Sequence, residues 1–388
     1  MKKRKKILVV AGTRPEVIKL APVIHELARR SDRFNTRICL TGQHREMADE
    51  AIRLFDIKGD YKLNIMRKNQ TLTHLTASLL NKLTGVIEDF NPHIIVAQGD
   101  TTSAFVGALA GFYQRVHVAH VEAGLRTYNK FSPFPEEINR SLIAVLSDHH
   151  FAPTTRAKRA LLCEGIEESR ISVTGNTVVD ALLHILKRIK VLPPFLGELE
   201  AVVGNGSKMV LITGHRRESF GQGFENICMA IRSLAQKFDD CNFLYPVHLN
   251  PHVREPVFKI LRGLPNVHLV APVGYLPFVR LMSESYVILT DSGGIQEEAP
   301  SLGKPVLVMR ETTERTEAIE AGTAILVGTD KNKIIKELSR LLTDEKRWNE
   351  MRNARNPYGD GRARGREYVM VLKISPRNEF KHYAANRL

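Results

Sequence analysis

The stretch KILVVAGTRPEVIKLAPVIHELARRS, which covers Lys6–Ser31, predicts the fold class of the chain. Its first part, Lys6–Ala11, is a continuous apolar run, as expected for a strand buried on both faces of a parallel sheet. Gly12 ends the run, and Pro15 suits the first turn of a helix. The segment from Pro15 to Ser31 has helical apolar spacing. A buried strand that leads through a glycine turn into a helix is the repeating unit of a parallel α/β sheet.

The same unit recurs along the chain, with a break around Gly175–Asp180 and a proline-rich loop at Pro193-Pro194. We therefore expect two Rossmann-like, doubly wound parallel-sheet domains that face each other across a cleft, residues 1–174 and 175–366. The predicted strands are Lys6–Ala11, Thr36–Leu40, His93–Ala97, Val116–Val121, Ile171–Thr174, Met209–Thr213, Asn242–Val247, Val267–Val270, Tyr286–Thr290, Pro305–Met309 and Ala324–Val327.

The composition is that of an ordinary globular protein, with 43% hydrophobic and 25% charged residues in 388. The four cysteines show no C-x-x-C spacing, so we expect no metal site or redox motif, and reduced cysteines are typical of a cytoplasmic protein. His149-His150 is predicted to be a strand edge rather than a metal site. No stretch approaches the roughly 18 apolar residues of a membrane helix.

The net charge of +14 favours an anionic partner. Nucleic acid is not expected, because no recognised nucleic-acid motif accompanies the basic residues. A phosphorylated small molecule is the favoured partner. The basic start of the chain and the apolar run after it imitate a secretory signal. That run ends too soon for one, at Gly12 and Arg14, and we interpret it as the first strand.

Charged residues follow several predicted strands of the first half. Arg14 and Lys19 could both reach an anion at a helix start. Asp100 either caps the helix that begins near Thr101 or takes part in chemistry. Glu122 follows the predicted buried strand Val116–Val121, where a carboxylate is costly unless it is paired or takes part in chemistry. Glu136 lies at a predicted helix N-terminus, which favours a negative charge, so helix capping is the alternative to a catalytic role.

The second half carries a candidate nucleotide site after two of its strands. His215 and Arg216 follow the first strand, at the carboxyl edge where a phosphate would enter. Ser292, Gly293 and Gly294 stand between a later strand and a helix, where bare backbone N–H groups can approach a pyrophosphate. One turn on, Glu298 can accept from two ribose hydroxyls. The alternative is a helix cap with solvated glutamates.

Two glycine pairs in the second half fall short of a dinucleotide-binding fingerprint. Gly204-Asn-Gly206 and Gly221-Gln-Gly223 both lack the third glycine of that motif. No cofactor is therefore expected.

The sequence resembles the bacterial non-hydrolysing UDP-N-acetylglucosamine 2-epimerases from about Lys6 to Gly361. Eight motifs occur in order, which makes the resemblance highly specific. They are Gly12-Thr-Arg-Pro-Glu16, Gln43-His-Arg-Glu-Met47, Gly99-Asp-Thr-Thr102, His120-Val-Glu-Ala-Gly-Leu-Arg126, Gly214-His-Arg-Arg-Glu218, His248-Leu-Asn-Pro251, Asp291-Ser-Gly-Gly-Ile-Gln-Glu-Glu298 and Asn356-Pro-Tyr-Gly-Asp-Gly361.

The resemblance implies a GT-B arrangement of the two domains, a homodimer, and residues 367–388 packing back on the first domain. It implies a role in polysaccharide supply. The implied catalytic residues are Asp100, Glu122, Glu136 and His215. The implied UDP-sugar ligands are Arg14, Lys19, Asp100, Glu122, His215, Phe278, Ser292, Gly293, Gly294, Glu298 and Arg315. Some members have an allosteric UDP-N-acetylglucosamine site, which Gln43, Glu136, Arg216 and His248 match in part.

The chemistry implied by this resemblance is inversion at C2 of a UDP-sugar. The C2 hydrogen is not acidic, and the missing fingerprint argues against oxidation by NAD. The remaining route eliminates UDP, leaves a 2-acetamidoglucal and adds UDP back after protonation of the opposite face. Which carboxylate is the base stays open. So do three alternatives: an epimerase of a diacetamido UDP-uronic acid, a GT-B glycosyltransferase, and a UDP-sugar sensor without turnover.

Overall fold

A computed structural model describes residues 4–43, 45–67, 70–193, 195–203 and 206–374. The chain divides into two compact units: unit 1 is Met1–Ala181 with Tyr358–Leu388, and unit 2 is Leu182–Pro357. The division falls inside the helix Thr177–Ile189, a few residues after the boundary expected at residue 174. The tail 375–388, Pro194 and the pair Gly204-Asn205 lie outside the described residues.

Each unit contains a parallel sheet. The sheet of unit 1 has the order β3-β2-β1-β4-β5-β6-β7, and that of unit 2 has the order β10-β9-β8-β11-β12-β13. The strands are β1 (Lys5–Ala11), β2 (Phe34–Leu40), β3 (Tyr61–Lys62), β4 (Ile94–Gln98), β5 (His117–Val121), β6 (His149–Ala152), β7 (Ile171–Val173), β8 (Met209–Thr213), β9 (Asn242–Pro246), β10 (Val267–Val270), β11 (Val287–Thr290), β12 (Val306–Val308) and β13 (Ala324–Leu326).

Helices alternate with these strands, as the apolar spacing predicts. They are α1 (Arg14–Arg29), α2 (Arg45–Leu54), α3 (Leu72–Phe90), α4 (Thr102–Tyr113), α5 (Glu136–Leu146), α6 (Thr155–Cys163), α7 (Thr177–Ile189), α8 (Leu199–Val203), α9 (Gln222–Lys237), α10 (Pro251–Leu261), α11 (Tyr275–Glu284), α12 (Gly293–Glu298), α13 (Thr316–Glu320), α14 (Lys331–Thr343), α15 (Glu345–Asn353) and α16 (Ala363–Lys373). Two parallel-sheet α/β units confirm the predicted fold class.

Buried aliphatic strands form the centre of each core. In unit 1, Leu8 and Ile95 pack with Leu79 and Leu83 of α3, all of them fully buried. In unit 2, the strands β8, β9 and β11 pack against α9, α10 and α14. One strand, β3, was not predicted, and β6 was predicted only as a strand edge at His149-His150. β3 has only two residues, and β6 begins with two histidines, so neither presents an apolar run.

The strand order reverses between β1 and β4 in unit 1, and between β8 and β11 in unit 2. In open α/β sheets, ligands bind beyond the carboxyl ends of the strands at such a reversal. The turns after β1 and β4 contain Arg14 and Asp100, and the turns after β8 and β11 contain His215 and Ser292. The topology therefore places the motif residues of each unit at its expected ligand-binding edge.

Helix α16 is held on unit 1 at both ends. At its start, the Asp180 carboxylate accepts from the backbone N–H groups of Ala363, at 3.1 Å, and Arg364, at 3.4 Å. At its end, Lys5 Nζ donates to the Ile374 carbonyl at 2.6 Å. A negative group at a helix N-terminus and a positive group at its C-terminus both complement the helix dipole.

Among the described residues, no helix combines the length and the apolar character needed to cross a membrane.

Candidate active site

The turn after β1 is clamped to the turn after β4. The buried Glu16 carboxylate accepts from the backbone N–H groups of Gly12, at 2.8 Å, and Thr13, at 2.6 Å, and from the Thr101 hydroxyl. A Cβ on Gly12 would lie 2.3 Å from Ser103 Oγ, so a side chain does not fit there. The clamp keeps the neighbours of Thr13 and Thr101, which are Arg14 and Asp100, at one edge of the sheet.

Asp100 is paired with a buried arginine. The N-cap of α4 is Thr101, whose hydroxyl accepts from Ala104 N at 3.2 Å, so the capping interpretation of Asp100 is wrong. Asp100 Oδ2 instead accepts from Arg140 Nη2 at 2.5 Å, and its carbonyl accepts from Asn139 Nδ2 at 2.9 Å. Both partners come from α5. A carboxylate held by a buried guanidinium is oriented for a ligand at the sheet edge.

Two adjacent glutamates at the start of α5 have different environments. Glu137 is buried and accepts from the backbone N–H groups of Thr127, at 3.0 Å, and Tyr128, at 2.8 Å, which makes it a structural anchor for that loop. Glu136 is partly buried. Burial raises the pKa of Glu136, and the charge of Asp100 raises it further, while Arg140 lowers it. A raised pKa suits a group that must hold a proton near neutral pH.

Glu122 is a buried carboxylate on a strained backbone. Its φ of 65° lies in the left-handed region, which costs a non-glycine residue about 1–2 kcal/mol. Its Oε2 forms an ion pair with Lys19 and accepts from Asn176 Nδ2 at 2.9 Å. Lys19 was predicted to be a UDP ligand, and in the structure its Nζ is paired with the Glu122 carboxylate. Strained residues persist where surrounding contacts hold them, often at active sites.

Two buried histidines lie side by side below this edge. His120 of β5 is in register with His150 of β6, and both are fully buried. His120 Nε2 lies 2.7 Å from the Gly99 carbonyl. Burial lowers the pKa of His120 to about 4 and that of His150 to about 3, so both are neutral at pH 7. His150 lies within the strand β6, in agreement with the predicted strand edge.

In unit 2, Asp291 organises the turn after β8. Its buried carboxylate accepts from the backbone N–H groups of His215, at 2.6 Å, and Arg216, at 2.7 Å. Arg216 Nε donates to the Asp291 carbonyl at 2.9 Å. The His215 ring stacks on His248, with ring centroids 5.4 Å apart. Burial lowers the pKa of His248, and the charge of His215 lowers it further. His215, Arg216 and His248 are thus brought together.

Ser292, Gly293 and Gly294 open the short helix α12. A Cβ on Gly293 would lie 3.0 Å from Arg315 Cζ, which shows that the guanidinium rests against this glycine. A Cβ on Gly294 would lie 3.9 Å from Glu298 Oε2 and from Ser292 Oγ, which is ordinary van der Waals contact, so this backbone is not crowded. Glu298 is buried at the end of the helix and accepts from the Tyr275 hydroxyl. Open backbone beside a guanidinium is a suitable place for a pyrophosphate.

Three remaining candidates have fewer contacts that define their position. Gln43 Oε1 accepts from Ser103 Oγ at 2.7 Å, beside the Gly12 turn. Phe278 is a partly buried residue of α11 in unit 2, the helix that also carries Tyr275. Arg14 is partly exposed, and its Nη1 lies 3.9 Å from Glu50 Oε2, too far for a hydrogen bond.

The family model described as UDP-N-acetylglucosamine 2-epimerase matches residues 25–372. The chain belongs to the UDP-N-acetylglucosamine 2-epimerase family. This is a family of isomerases. A UDP-N-acetylglucosamine 2-epimerase of Yersinia pestis is 55% identical over 361 residues, which are 92% of this chain and 96% of that relative.

Solved structures of the epimerase family share the fold. The crystal structure of a Neisseria meningitidis UDP-GlcNAc 2-epimerase bound to UDP-GlcNAc has a TM-score of 0.87 and 49% identity, over 95% of this chain and 100% of that one. A Methanocaldococcus jannaschii UDP-GlcNAc 2-epimerase in complex with UDP-GlcNAc and UDP has a TM-score of 0.80 and 35% identity, over 95% and 99%.

Several residues that shape the epimerase site were not singled out from the sequence. Asp291 follows a mainly apolar strand, as Glu122 does, so the same cost argument could have found it. Arg140 lies three positions after Glu137 and four after Glu136 on α5, the spacing of helical ion pairs. Asn176 is 54 residues from Glu122 in sequence, and no local pattern predicts their hydrogen bond.

Proposed function

We propose that the protein interconverts UDP-N-acetylglucosamine and UDP-N-acetylmannosamine by eliminating and re-adding UDP, through a 2-acetamidoglucal. The observation that carries the proposal is that unit 1 has two carboxylate groups near cations. Asp100 is paired with Arg140, whose charge also lowers the pKa of Glu136, and Glu122 is paired with Lys19. The membership in the epimerase family and the relative bound to UDP-GlcNAc support the choice of substrate.

Elimination is the route that suits these groups. A base takes the C2 proton, the electron pair of the C–H bond forms the C1–C2 double bond, and the C1–O bond breaks to release UDP. In the reverse direction, a proton is delivered to the opposite face of C2 and a phosphate oxygen of UDP attacks C1. This reaction needs two groups that transfer protons, one for each face of C2. The two carboxylate groups of unit 1 are our candidates for these roles.

The three carboxylates Glu136, Glu122 and Asp100 have different proposed tasks. Glu136, with its raised pKa, is suited to delivering a proton. Glu122 accepts hydrogen bonds from a cation and an amide, which stabilise its ionised form, and this suits a base. Asp100, which is bound to Arg140, is our candidate for orienting the sugar or exchanging protons with Glu136.

Departure of UDP places negative charge on the pyrophosphate, and unit 2 offers donors for it. The proposed donors are the backbone N–H groups that begin α12, together with His215 and Arg315. Donors fixed in advance stabilise a developing charge without the cost of reorganisation. Glu298 is the proposed ribose ligand.

Incubation of the protein with UDP-N-acetylglucosamine in D2O, followed by NMR, tests the proposal. We expect the manno epimer to appear and C2 of both UDP-sugars to acquire deuterium, because each elimination exchanges the C2 proton. Prolonged incubation should also release free UDP and 2-acetamidoglucal.

Recovery of UDP-sugar with protium at C2 and no manno epimer would refute the proposed reaction. A parallel incubation with a diacetamido UDP-uronic acid distinguishes the nearest alternative, since that epimerase would turn over only the second substrate. A glycosyltransferase would form no epimer without an acceptor.

We also propose a homodimer that forms through α5 of unit 1. Ile138, Leu142 and Val145 occupy one exposed face of this helix, and Phe112 and Tyr113 at the end of α4 are exposed as well. Large exposed apolar patches mark interaction surfaces. Light scattering after size-exclusion chromatography should give twice the chain mass of 43.7 kDa, and Leu142→Glu should halve it. A monomeric unchanged protein would contradict this assembly.

An activating second molecule of UDP-N-acetylglucosamine stays a prediction of the resemblance, as do the cytoplasmic location and the role in polysaccharide supply. If a second molecule activates the enzyme, the initial rate should depend sigmoidally on substrate concentration. The Gln43→Ala variant should then show a hyperbolic dependence.

A further inference from the structure

Glu297 is a buried carboxylate that the proposed reaction leaves without a task. Its side chain is 1% exposed, and it precedes the proposed ribose ligand Glu298 in α12. Its Oε1 accepts from Arg315 Nε at 3.0 Å. Its carbonyl accepts from Asn356 Nδ2 at 3.0 Å, which ties this end of α12 to the chain beyond α15. The side chain therefore faces the protein interior and an arginine that we propose binds UDP.

Arg315 is held between two carboxylates. Nε donates to Glu297, and Nη1 forms an ion pair with Glu314. Burial alone would raise the pKa of Glu314, but the charges of Arg315 and Arg310 lower it to about 2, so Glu314 is ionised at neutral pH. Glu314 also accepts from Arg310 at 2.8 Å. The guanidinium is thus fixed along two of its edges.

This orientation places the guanidinium plane beside the backbone proposed to receive the pyrophosphate. A Cβ built on Gly293 would lie 3.0–3.2 Å from Cζ, Nη1 and Nε of Arg315, so the group packs closely on the glycine. At Gly294, the next residue, an added Cβ would meet its nearest neighbours, Glu298 Oε2 and Ser292 Oγ, only at 3.9 Å. An arginine side chain that is already ordered loses less conformational freedom when a ligand binds.

We propose that Glu297 is a positioning residue, which aims the Arg315 guanidinium at the pyrophosphate of the bound nucleotide. The inference rests on the proposed function, because it takes Arg315 to be a UDP ligand. Two carboxylates beside one guanidinium weaken its net attraction for an anion. The charge of Glu297 by itself would therefore weaken the binding of an anion. The contribution that we propose for Glu297 is to orient the N–H donors of Arg315.

Two substitutions separate orientation from charge. Glu297→Gln keeps an oxygen that accepts from Arg315 Nε and removes the charge. Glu297→Met keeps the volume and removes the acceptor. Isothermal titration with UDP should give an affinity within about threefold of the unchanged protein for the glutamine variant, and about tenfold weaker binding for the methionine variant, the effect of one lost interaction of this kind.

Uridine is the second probe, because it has ribose and base but no phosphate. If Glu297 acts through Arg315, uridine affinity is unchanged in both variants, since Glu298 in the same helix is undisturbed. Substitution of Glu297 by Met in an Arg315→Ala background should then weaken UDP binding no further. Glu350→Ala, which removes an exposed ion pair with Arg347 on α15, is the matched control and should bind UDP normally.

Three outcomes overturn the inference while leaving the proposed function intact. The Glu297→Met variant could bind UDP as tightly as the unchanged protein, or it could lose as much affinity for uridine as for UDP. The third outcome is that Glu297→Met weakens UDP binding even in the Arg315→Ala background. Should the methionine variant not fold, Glu297→Asp provides the same test, because it retracts the carboxylate from Nε by one methylene. An unchanged protein that does not bind UDP would overturn the proposed function and this inference together.

Discussion

Substitution of Gly294 by alanine should stabilise the folded protein and weaken UDP binding. Gly294 lies in the first turn of α12, and its φ is not in the left-handed region. A Cβ there would meet Glu298 Oε2 and Ser292 Oγ at 3.9 Å, which is ordinary van der Waals contact. The folded chain therefore accommodates the methyl group without strain, and only a ligand that approaches the backbone would be displaced.

The expected gain in folding stability and the expected loss of UDP affinity can be estimated separately. Replacement of glycine by alanine at a compatible position stabilises a protein by about 0.4–1 kcal/mol, mainly through the unfolded state. A phosphate oxygen bound to a backbone N–H approaches the nitrogen to about 2.9 Å, which a neighbouring methyl group obstructs. Loss of one hydrogen bond to a charged group costs about 1.5–3 kcal/mol, or roughly 10- to 150-fold in affinity.

Thermal unfolding and titration calorimetry with UDP measure the two effects on the same preparation. Gly85→Ala is the matched control. Gly85 is a helical glycine of α3 in unit 1 whose added Cβ would have no neighbour within 4 Å, so the control should gain similar stability and keep its UDP affinity.

A Gly294→Ala protein that binds UDP as tightly as the unchanged protein would refute the placement of the pyrophosphate at this backbone. A lowered unfolding temperature would refute the argument that the site has room for the methyl group.

Three further predictions concern unit 1. Glu122→Gln should retain UDP affinity and lose about 10²- to 10⁴-fold in turnover, the range for a general acid or base; an unchanged rate removes Glu122 from the catalytic residues. Arg140→Met should move the titration of Glu136 in the pH–rate profile to higher pH, because Arg140 lowers the pKa of that carboxyl; a profile that stays in place contradicts their coupling. The buried histidines have folded pKa values below the unfolded value of about 6.5, so the unfolded chain binds more protons and stability falls as pH drops from about 6.5 toward 4. Each should contribute about 1.4 kcal/mol per pH unit to that fall, and His150→Phe should remove roughly half of the combined slope in urea unfolding; an unchanged slope would count against burial as its cause.

The periodicity of apolar residues was sufficient to predict the fold class and most of the strands. β8 and β10 were predicted with the bounds that the structure shows, because each is a short, mainly apolar run between helical segments. β6 was predicted only as a strand edge, because it begins with His149 and His150, and histidine is a polar residue type. In the folded chain, burial lowers the pKa of His150 and keeps it neutral. A residue type indicates its usual environment, and tertiary packing can impose a different one.

The site was predictable where a single stretch of chain builds it. Ser292, Gly293, Gly294 and Glu298 lie within one strand–turn–helix segment, so local spacing was enough to group them. The partners of the charged residues were not predictable in this way. Glu122 meets Lys19 and Asn176, which lie far from it in sequence, and which cation neutralises which carboxylate depends on the strand order.

The sequence by itself determined two parallel α/β units, the strand ends at which the candidate site residues lie and the family to which the chain belongs. These follow from local periodicity and from motifs, which need no knowledge of long-range contacts. Only the tertiary structure decided that Asp100 is paired with Arg140 rather than capping α4, that Asp291 orders the His215 turn, and that Glu297 holds Arg315. The physical reason is that a buried charge is stable only with a partner, and folding brings that partner from another part of the chain.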